Sequence, residues 1–493
     1  MNKKFLAIFA AKQAGFWSRI MGRGGGAALP GLIAMKIYPE IVTDLTKELG
    51  KGVVLVTGTN GKTTTSKMIV EILKANGENV LSNSGGSNLT RGIASALIER
   101  SNIFGKIKEE IGIYEVDEAT LPKITQFVDP KAIAITNIFR DQLDRYGEVD
   151  KTADILRQAL KSSPNATLIL NADDPIVSSL ALYPVIPDAA EGSFKSHEEK
   201  EIPPLSTNIE PVEMTKTKNQ KNVIYFGIND EKLKAKSDLA IDIKDCLICG
   251  TELVYPHRYY GHIGEYVCEN CGFKKPKTSI TAKNVQLSPI RTSANIKIGR
   301  ENANLVLPMI GLYNLYNALA AVTAGNFFKI KNTVTFKALN NQKPAFGRME
   351  TFAVNGRKAV IHLVKNPIGF NQVLEAITED RKSKTALIAL NDNFADGTDI
   401  SWIWDSEFEL FKNDFRKIMV SGIRSKDLRL RLKYADVTSK IIIEEEDLDT
   451  ALDQAVKNTN QGETLYILPT YTAMLQIRKK LVKQGILKDY WSN

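Results

Sequence analysis

A chain of 493 residues with 43% hydrophobic content is long enough for two to four packed domains, and no apolar run in it approaches the ~18 residues that cross a bilayer. Its net charge of +9 suits anionic partners such as triphosphates, pyrophosphate-bearing lipids or membrane surfaces. Nucleic acid is disfavoured, because no long Lys/Arg run is interleaved with aromatics.

The first residues, Met1 to Lys12, have the look of a signal peptide, but the apolar stretch Phe5–Ala11 is short and Lys12 stands where cleavage would fall. A basic amphipathic helix with Lys3, Lys4, Lys12 and Arg19 beside Phe5, Phe9, Phe16 and Trp17 accounts for it better. Two placements are open to that helix: an anionic membrane surface, or packing on its own domain.

The apolar run Val53–Thr57 reads as a buried strand feeding Gly58-Thr59-Asn60-Gly61-Lys62-Thr63-Thr64-Thr65. A helix follows, with apolar positions Met68, Ile69, Ile72 and Leu73, and stops at Asn76-Gly77. Strand, glycine turn, Lys-Thr and helix make a phosphate-binding loop. Glycines let backbone N–H groups approach phosphate oxygens, Lys62 neutralises charge, and the Thr63 hydroxyl suits Mg²⁺. Only Thr59 and Asn60 separate its glycines, fewer than in the commoner form of the loop.

From about 50 to 190, strands at Ile111–Val116, Ala132–Asn137 and Thr167–Asn171 alternate with helical stretches, which predicts a parallel α/β sheet. Their C-terminal ends carry the polar groups. Glu115, with Glu118 in reserve, is placed to hold Mg²⁺. A polar cluster runs from Thr136 and Asn137 to Gly147. The Asn171 amide, opening Asn171-Ala172-Asp173-Asp174, is placed to read adenine. Residues 187–222 are rich in charge and proline and read as a loop or insertion.

All four cysteines fall in Cys246-x-x-Cys249 and Cys268-x-x-Cys271, with eighteen residues between the pairs. This is the spacing of a zinc ribbon, a closed four-thiolate site in which the metal is structural. His257 and His262, between the knuckles, could substitute as ligands but are read as ribbon surface. No thiol then remains as a nucleophile, and no Ser/His/Asp grouping is visible. A small-residue helix around Gly311–Ala321 suits close packing on the sheet.

After a linker at 340–350 a second alternation begins, with strands at Ala359–Val364, Thr385–Leu390, Lys417–Val420, Lys440–Ile443 and Thr464–Leu468. The predicted organisation is therefore α/β throughout. A basic N-terminal segment (1–48) precedes an ATP-binding domain (49–345) with the ribbon inserted at about 240–280. A C-terminal Rossmann-like domain (346–493) follows.

The phosphate loop, the strand-end Glu115, the Thr136-Asn137 segment with Asp141, Leu143 and Asp144, and Asn171-Ala172-Asp173-Asp174 occur in the order found in the Mur ligase family, which this chain resembles. Those enzymes use ATP to activate a carboxylate as an acyl phosphate that an amine then attacks. By that resemblance Gly58, Thr59, Asn60, Gly61, Lys62, Thr63, Thr64 and Asn137 bind nucleotide, Thr63 and Glu115 hold Mg²⁺, and Asn171 contacts adenine. Arg348 of Phe346-Gly347-Arg348 is similar to an arginine that clamps phosphate. Gln142 stands where the family often has a metal-binding histidine, and no lysine stands convincingly for its carbamylated lysine. The family's Asp-Tyr-Ala-His-x-Pro appears only as His362-Leu363-Val364-Lys365-Asn366-Pro367. The usual nucleotide-sugar domain is replaced by the basic N-terminal segment, which fits a lipid-carried substrate.

The ribbon and the segment Asp392-Asn393-Phe394-Ala395-Asp396-Gly397-Thr398-Asp399-Ile400-Ser401-Trp402-Ile403-Trp404-Asp405 resemble the branch of the family that amidates lipid II. That resemblance implies a GatD-like class I glutaminase partner that releases ammonia, and amidation of the D-glutamate α-carboxylate by this chain. It also implies a cytoplasmic setting, at the inner face of the membrane if the N-terminal helix binds lipid. Asp399 takes the family's essential aspartate position, orienting a histidine of the partner; Asp392 and Asp396 are the alternatives. Trp402 and Trp404 suit either the domain core or a partner-docking site. Two other readings are a folylpolyglutamate-synthase-like ligase, opposed by the ribbon and the Asp/Trp segment, and an NTP-driven nucleic-acid-binding module.

Overall fold

The computed structural model describes residues 3–20, 28–83, 88–140, 149–182, 222–235, 242–288, 291–342, 348–412 and 415–488. Three helices open the chain: α1 (Lys3–Ile20), α2 (Leu29–Ile37) and α3 (Ile41–Thr46). The first α/β body continues with β1 (Gly52–Thr57), α4 (Lys62–Ala75), β2 (Val80–Ser82), α5 (Thr90–Arg100), β3 (Ile111–Glu115), α6 (Leu121–Ile124) and β4 (Ala132–Ile135). Next come α7 (Val149–Lys161), β5 (Thr167–Asn171), α8 (Pro175–Ser179) and β6 (Val223–Ile228). The hairpin β7 (Val254–Tyr260) and β8 (Ile263–Val267), then β9 (Ile280–Leu287), β10 (Thr292–Ile298), β11 (Glu301–Leu307), α9 (Leu312–Phe327) and α10 (Asn332–Asn340) complete it.

Nine of these strands form one sheet in the order β11-β10-β9-β6-β5-β4-β1-β3-β2. It is parallel from β2 to β9, with β10 and β11 added antiparallel. The central strands are buried on both faces because helices cover both. In β1, Val53 and Leu55 enter one core while Val54 and Val56 enter the other. This is why such strands read as continuous apolar runs rather than as alternation. The first core includes Ala7, Ile8, Ala11, Ala34, Ile41 and Leu45, so α1–α3 pack on this body and share its interior. The opposite core is closed by α4, α9 and α10; the small residues Ala318, Ala320, Ala321 and Ala324 let α9 lie close to the sheet.

The second body contains β12 (Arg348–Val354), β13 (Arg357–His362), α11 (Pro367–Thr378), β14 (Lys384–Ala389), β15 (Phe415–Ser421), α12 (Ser425–Tyr434), β16 (Ile442–Glu444), α13 (Leu448–Asn458), β17 (Thr464–Pro469) and α14 (Tyr471–Lys483). Its sheet order is β12-β13-β17-β14-β15-β16, parallel except for the β12–β13 pair. Separate apolar cores fill its two faces.

Element ends differ from the sequence reading by a few residues. β3 ends at Glu115 and β4 at Ile135, although the Val116 and Thr136 N–H groups still donate to Val56 O and Thr57 O, and β16 starts two residues after Lys440. The polar cluster beyond Arg140, including Gln142, lies outside the described residues, as do nearly all of 187–222 and the linker residues 343–347.

Candidate active site

In the first sheet, chain order reverses between β1 and β4, which lie side by side. A parallel sheet opens a crevice at such a point, beyond the carboxyl ends of its strands. The loops after β1 and β4 interlock there. Thr59 N–H donates to Asn137 O at 2.8 Å, and Asn60 N–H donates to Asn137 Oδ1 at 2.9 Å. Asn137 Nδ2 and the Thr136 hydroxyl both donate to Asn60 O, at 3.1 and 2.7 Å. Phe139 N–H donates to the Thr59 hydroxyl at 3.0 Å. The turn is thereby fixed before α4 begins.

Two glycines make the turn feasible. Gly58 has φ 123°, and a Cβ there would lie 2.3 Å from Thr136 Oγ1; Gly61 has φ 88°, and a Cβ there would lie 2.0 Å from Asn317 Oδ1. Both conformations are costly for any residue with a side chain. The missing Cβ of Gly61 lets Asn317 close on the turn, and the N–H groups that follow, at the N-terminus of the fourteen-residue α4, favour an anion.

Lys62 Nζ donates to Gly58 O at 2.6 Å and to Glu118 Oε2 at 2.9 Å. Burial alone would lower its pKa, but the carboxylates of Glu118, Asp117 and Glu115 outweigh that penalty, so the pKa is raised and the ammonium stays charged. The Thr63 hydroxyl donates to Glu115 Oε1 at 2.9 Å, and Asn83 holds the Glu115 backbone through two hydrogen bonds of 2.9 Å. A hydroxyl and a carboxylate at that separation are an oxygen donor pair suited to a hard cation such as Mg²⁺. Glu118, the reserve ligand, is instead the counter-ion of Lys62.

A cleft runs from this loop to the second body. Asn60, Gly61, Thr64, Phe139, Tyr260 and Asn317 line one wall, and His362–Asn366 with Gln372 line the other. Asn366 caps α11, accepting from Gly369 N–H at 2.8 Å, and its Nδ2 donates across the cleft to Asn60 Oδ1 at 3.1 Å. The degenerate segment His362–Pro367 is therefore cleft wall.

Asn171 is wholly buried, its Nδ2 donates to Thr136 O at 3.1 Å, and its Oδ1 accepts from Asp173 N–H at 3.1 Å. Its amide joins two strand ends. Asn317 of α9 also lines the cleft; Asn314 and Asn317 sit three apart on a mostly apolar helix, which is the signal the sequence offers for them.

The four cysteine sulfurs lie within 4.8 Å of one another, with Cys246–Cys271 and Cys249–Cys268 each 3.5 Å apart. That is too long for disulfides and close to the ~3.8 Å edge of a tetrahedron with Zn–S bonds of ~2.3 Å. The two knuckles repeat one pattern: Gly250 N–H donates to Cys246 O, and Gly272 N–H donates to Cys268 O. The residues present fit a zinc ion.

His262 is a correction, because it is not ribbon surface. It is fully buried at the tip of the β7–β8 hairpin, against the Phe139 ring (centroids 4.7 Å apart) and 3.7 Å from Asp174 Oδ1. Around it the ribbon is keyed to the 171–174 turn. Gly264 N–H donates to Asp173 O at 2.8 Å, Tyr266 donates to Ala172 O at 3.1 Å, and Lys275 Nζ pairs with Asp173 at 2.8 Å. Burial pushes the Asp173 carboxyl up, against the opposing pull of Lys275.

In the second body, Asp396 is buried and caps α14 by accepting from Thr472 N–H at 2.7 Å, while Asp392 faces Arg424 at 3.7 Å. Asp399 is half-buried, and its Oδ1 accepts from Ser401 N–H at 2.8 Å. Trp402 packs against Phe370 in the core, whereas Trp404 is about half exposed beside Tyr434. Arg348 opens β12; its side chain lies outside the described residues.

The Mur ligase middle domain model matches residues 56–240 and the MurT ligase C-terminal model residues 363–474. The MurT subunit of a lipid II isoglutaminyl synthase (glutamine-hydrolyzing) from Streptococcus pneumoniae R6 is 33% identical, over 99% of this chain and 98% of its own length. The subunit of the same name from Staphylococcus aureus strain COL is 32% identical over 97% and 98%. The chain belongs to the MurT family of Mur ligases. It is thus an ATP-dependent ligase by family, and the MurT C-terminal match spans the Asp392–Asp405 segment. Among solved structures, a pseudomurein peptide ligase type C from Methanothermus fervidus aligns with TM-score 0.62 at 20% identity, covering 90% of this chain and 80% of its own. MurF from Acinetobacter baumannii aligns with TM-score 0.62 at 16% identity, covering 92% and 81%. The fold is that of the Mur ligases.

Proposed function

We propose that this chain is the synthase subunit of a two-chain amidotransferase acting at the inner face of the membrane. It amidates the D-glutamate α-carboxylate of the lipid II stem peptide to D-isoglutamine. The observation that carries this reading is a charged phosphate loop at the switch point of a chain whose every thiol is gathered in the ribbon. Carboxylate activation has its groups here; release of ammonia from glutamine by a Cys–His pair does not. Ammonia is therefore delivered by a GatD-like glutaminase partner.

ATP and the stem-peptide carboxylate are substrates of the cleft. The carboxylate oxygen attacks the γ-phosphorus, ADP leaves, ammonia adds to the carbonyl carbon, and phosphate departs. Lys62 and the N–H groups at the start of α4 stabilise charge developing on the transferred phosphoryl group. Thr63 and Glu115 would hold Mg²⁺, which when bound neutralises phosphate oxygens. Cys246, Cys249, Cys268 and Cys271 would hold zinc as a structural ion. Asn60 and Asn317 are proposed for the nucleotide, alongside Gly58, Thr59, Gly61, Thr64, Asn137, Asn171 and Arg348. Asp399 is proposed to orient a histidine of the partner. The structural duties of Asp392 and Asp396 support that choice, and the exposed Phe394 and Trp404 nearby supply docking anchors.

Co-purification with the cell's class I glutaminases, followed by amidation of lipid II with glutamine as donor, tests the reading. Lys62→Ala is expected to cut ATP turnover by about a hundredfold or more. A substrate-stimulated ATPase unchanged by Lys62→Ala rejects the reading. Preference for glutamate over ammonia as nucleophile would favour a folylpolyglutamate-synthase-like ligase.

A further inference from the structure

The helix α1 has two faces, and only one is explained by the fold. Ala7, Ile8 and Ala11 are fully buried against the first body. Leu6, Phe9, Phe16 and Trp17, at helical spacing on the opposite side, are between 39% and 55% exposed. The row continues beyond the helix. Phe5 stacks on Phe9 with centroids 6.2 Å apart and meets Phe104 at 6.3 Å; Phe104, in the turn after α5, is 71% exposed beside exposed Ile103. Exposed Leu29 and Leu32 of α2 add to it. Monomeric proteins rarely leave aromatic and aliphatic surface contiguous to this extent without an occupant.

Charge identifies the occupant. The sequence of α1 carries Lys3, Lys4, Lys12 and Arg19 and no acidic residue, and α2 carries Lys36 and no acidic residue. Two helices of basic sequence that present exposed Phe, Trp and Leu match the requirements of an anionic bilayer surface, where rings enter the acyl boundary and amines meet headgroup phosphates. The orientation is also apt. Lys12 Nζ reaches Glu99 O near the end of α5, while Gly31, after the connection from α1, donates to Ser95 Oγ closer to the start of α5. The Trp17 end therefore lies toward the edge of the sheet where Asn83 and Glu115 meet the phosphate loop.

We infer that the α1–α2 face, extended by Ile103 and Phe104, docks the protein on anionic phospholipid and so presents the cleft to a lipid-borne carboxylate. The choice of a bilayer as occupant rests in part on the lipid II reading above. The binding itself needs no lipid II, so the two can fail separately.

The test is co-sedimentation of the full chain with vesicles that contain no lipid II. Phosphatidylcholine vesicles are compared with vesicles of equal parts phosphatidylcholine and phosphatidylglycerol. Wild type is expected to partition about tenfold more into the anionic vesicles, with the preference shrinking as salt rises. The variant Phe9→Ser/Phe16→Ser/Trp17→Ser is expected to lose about tenfold of that binding while keeping the wild-type melting temperature and ATPase, because these side chains face outward. Phe394→Ser, an exposed aromatic on the other body, serves as the surface control and is expected to bind vesicles as wild type does. Equal wild-type binding to both vesicle types, or unchanged binding by the triple variant, overturns the inference. So does a lipid-free dimer that the triple variant converts to monomer, which would make the face a contact between copies. Loss of vesicle binding with normal amidation of detergent-solubilised lipid II supports docking and leaves the proposed reaction standing. Vesicle binding without amidation rejects the reaction alone.

Discussion

At Gly61 two independent demands fall on one atom position: a left-handed φ, and a neighbouring Asn317 amide 2.0 Å from where a Cβ would sit. Gly61→Ala is therefore expected to cost about 1–3 kcal/mol in stability and to weaken nucleotide binding. Because the amide supplies only the steric part, Gly61→Ala/Asn317→Ala should recover part of the lost stability while the backbone strain remains. A thermal melting cycle over the four proteins checks this, and strict additivity would show that the amide does not crowd the turn. Titration at single residues is equally directional. Arg416 holds the Glu463 carboxyl at about 2, well below its ordinary 4.5, with the Asn460 N–H and the Ser383 hydroxyl assisting. A depressed carboxylate contributes stability that is complete above the unfolded pKa and is lost as pH falls through the folded one. The second body is thus expected to lose stability between pH 4.5 and about 2, and Glu463→Gln should flatten that dependence. Urea midpoints measured across the window decide it.

Among the elements, the four-cysteine ribbon shows what a sequence can and cannot disclose. Cysteine spacing was enough for the knuckles, since tetrahedral thiolate geometry depends on local turns. Strands such as Thr167–Asn171 were legible because burial on both faces makes them unbroken apolar runs, and the phosphate loop because its glycines precede Lys62 within a few residues. The docking of the ribbon was not legible. His262 meets Asp174, and Lys275 meets Asp173, across about ninety or more residues of chain, and no periodicity encodes such a pairing. For the same reason the bond from Asn171 Nδ2 to a carbonyl thirty-five residues away is not written in the local sequence. This docking makes the ribbon a wall of the cleft, through Tyr260 and through Phe139, whose ring rests on His262. Removing the metal should therefore reach the nucleotide. Cys268→Ser, or chelation, is expected to abolish zinc content and to weaken ATP-analogue binding about threefold to tenfold, in line with the loss of one or two packing contacts. Calorimetric titration of the metal-free protein checks it; unchanged affinity would detach the ribbon from nucleotide binding.

For the whole molecule, the question is how two α/β bodies, joined by Ile368 in a core of the first and Ile310 in a core of the second, work as one site. Polar contacts between them among the described residues include Asn60 with Asn366, and Arg140 with Asp405 at 3.0 Å. Arg140 and Asp405 are 41% and 46% exposed, so their pair is worth about 0–1 kcal/mol. Interfaces of this kind between bodies permit relative motion. Yet the pair ties the loop after β4, which holds the phosphate turn through Thr59 and Asn60, to the segment bearing Asp399 and Trp404. Its value should therefore lie in coupling rather than in stability. Asp405→Ala is expected to shift the melting temperature by no more than about two degrees, while broadening the distance distribution between spin labels on the two bodies and lowering amidation driven by glutamine. Amidation driven by added ammonium should fall less, because that route does not need the Asp392–Asp405 segment to register a partner against the cleft. Equal losses with both nitrogen donors would place the contribution of Asp405 in the cleft itself and not in the passage of ammonia from one chain to the other.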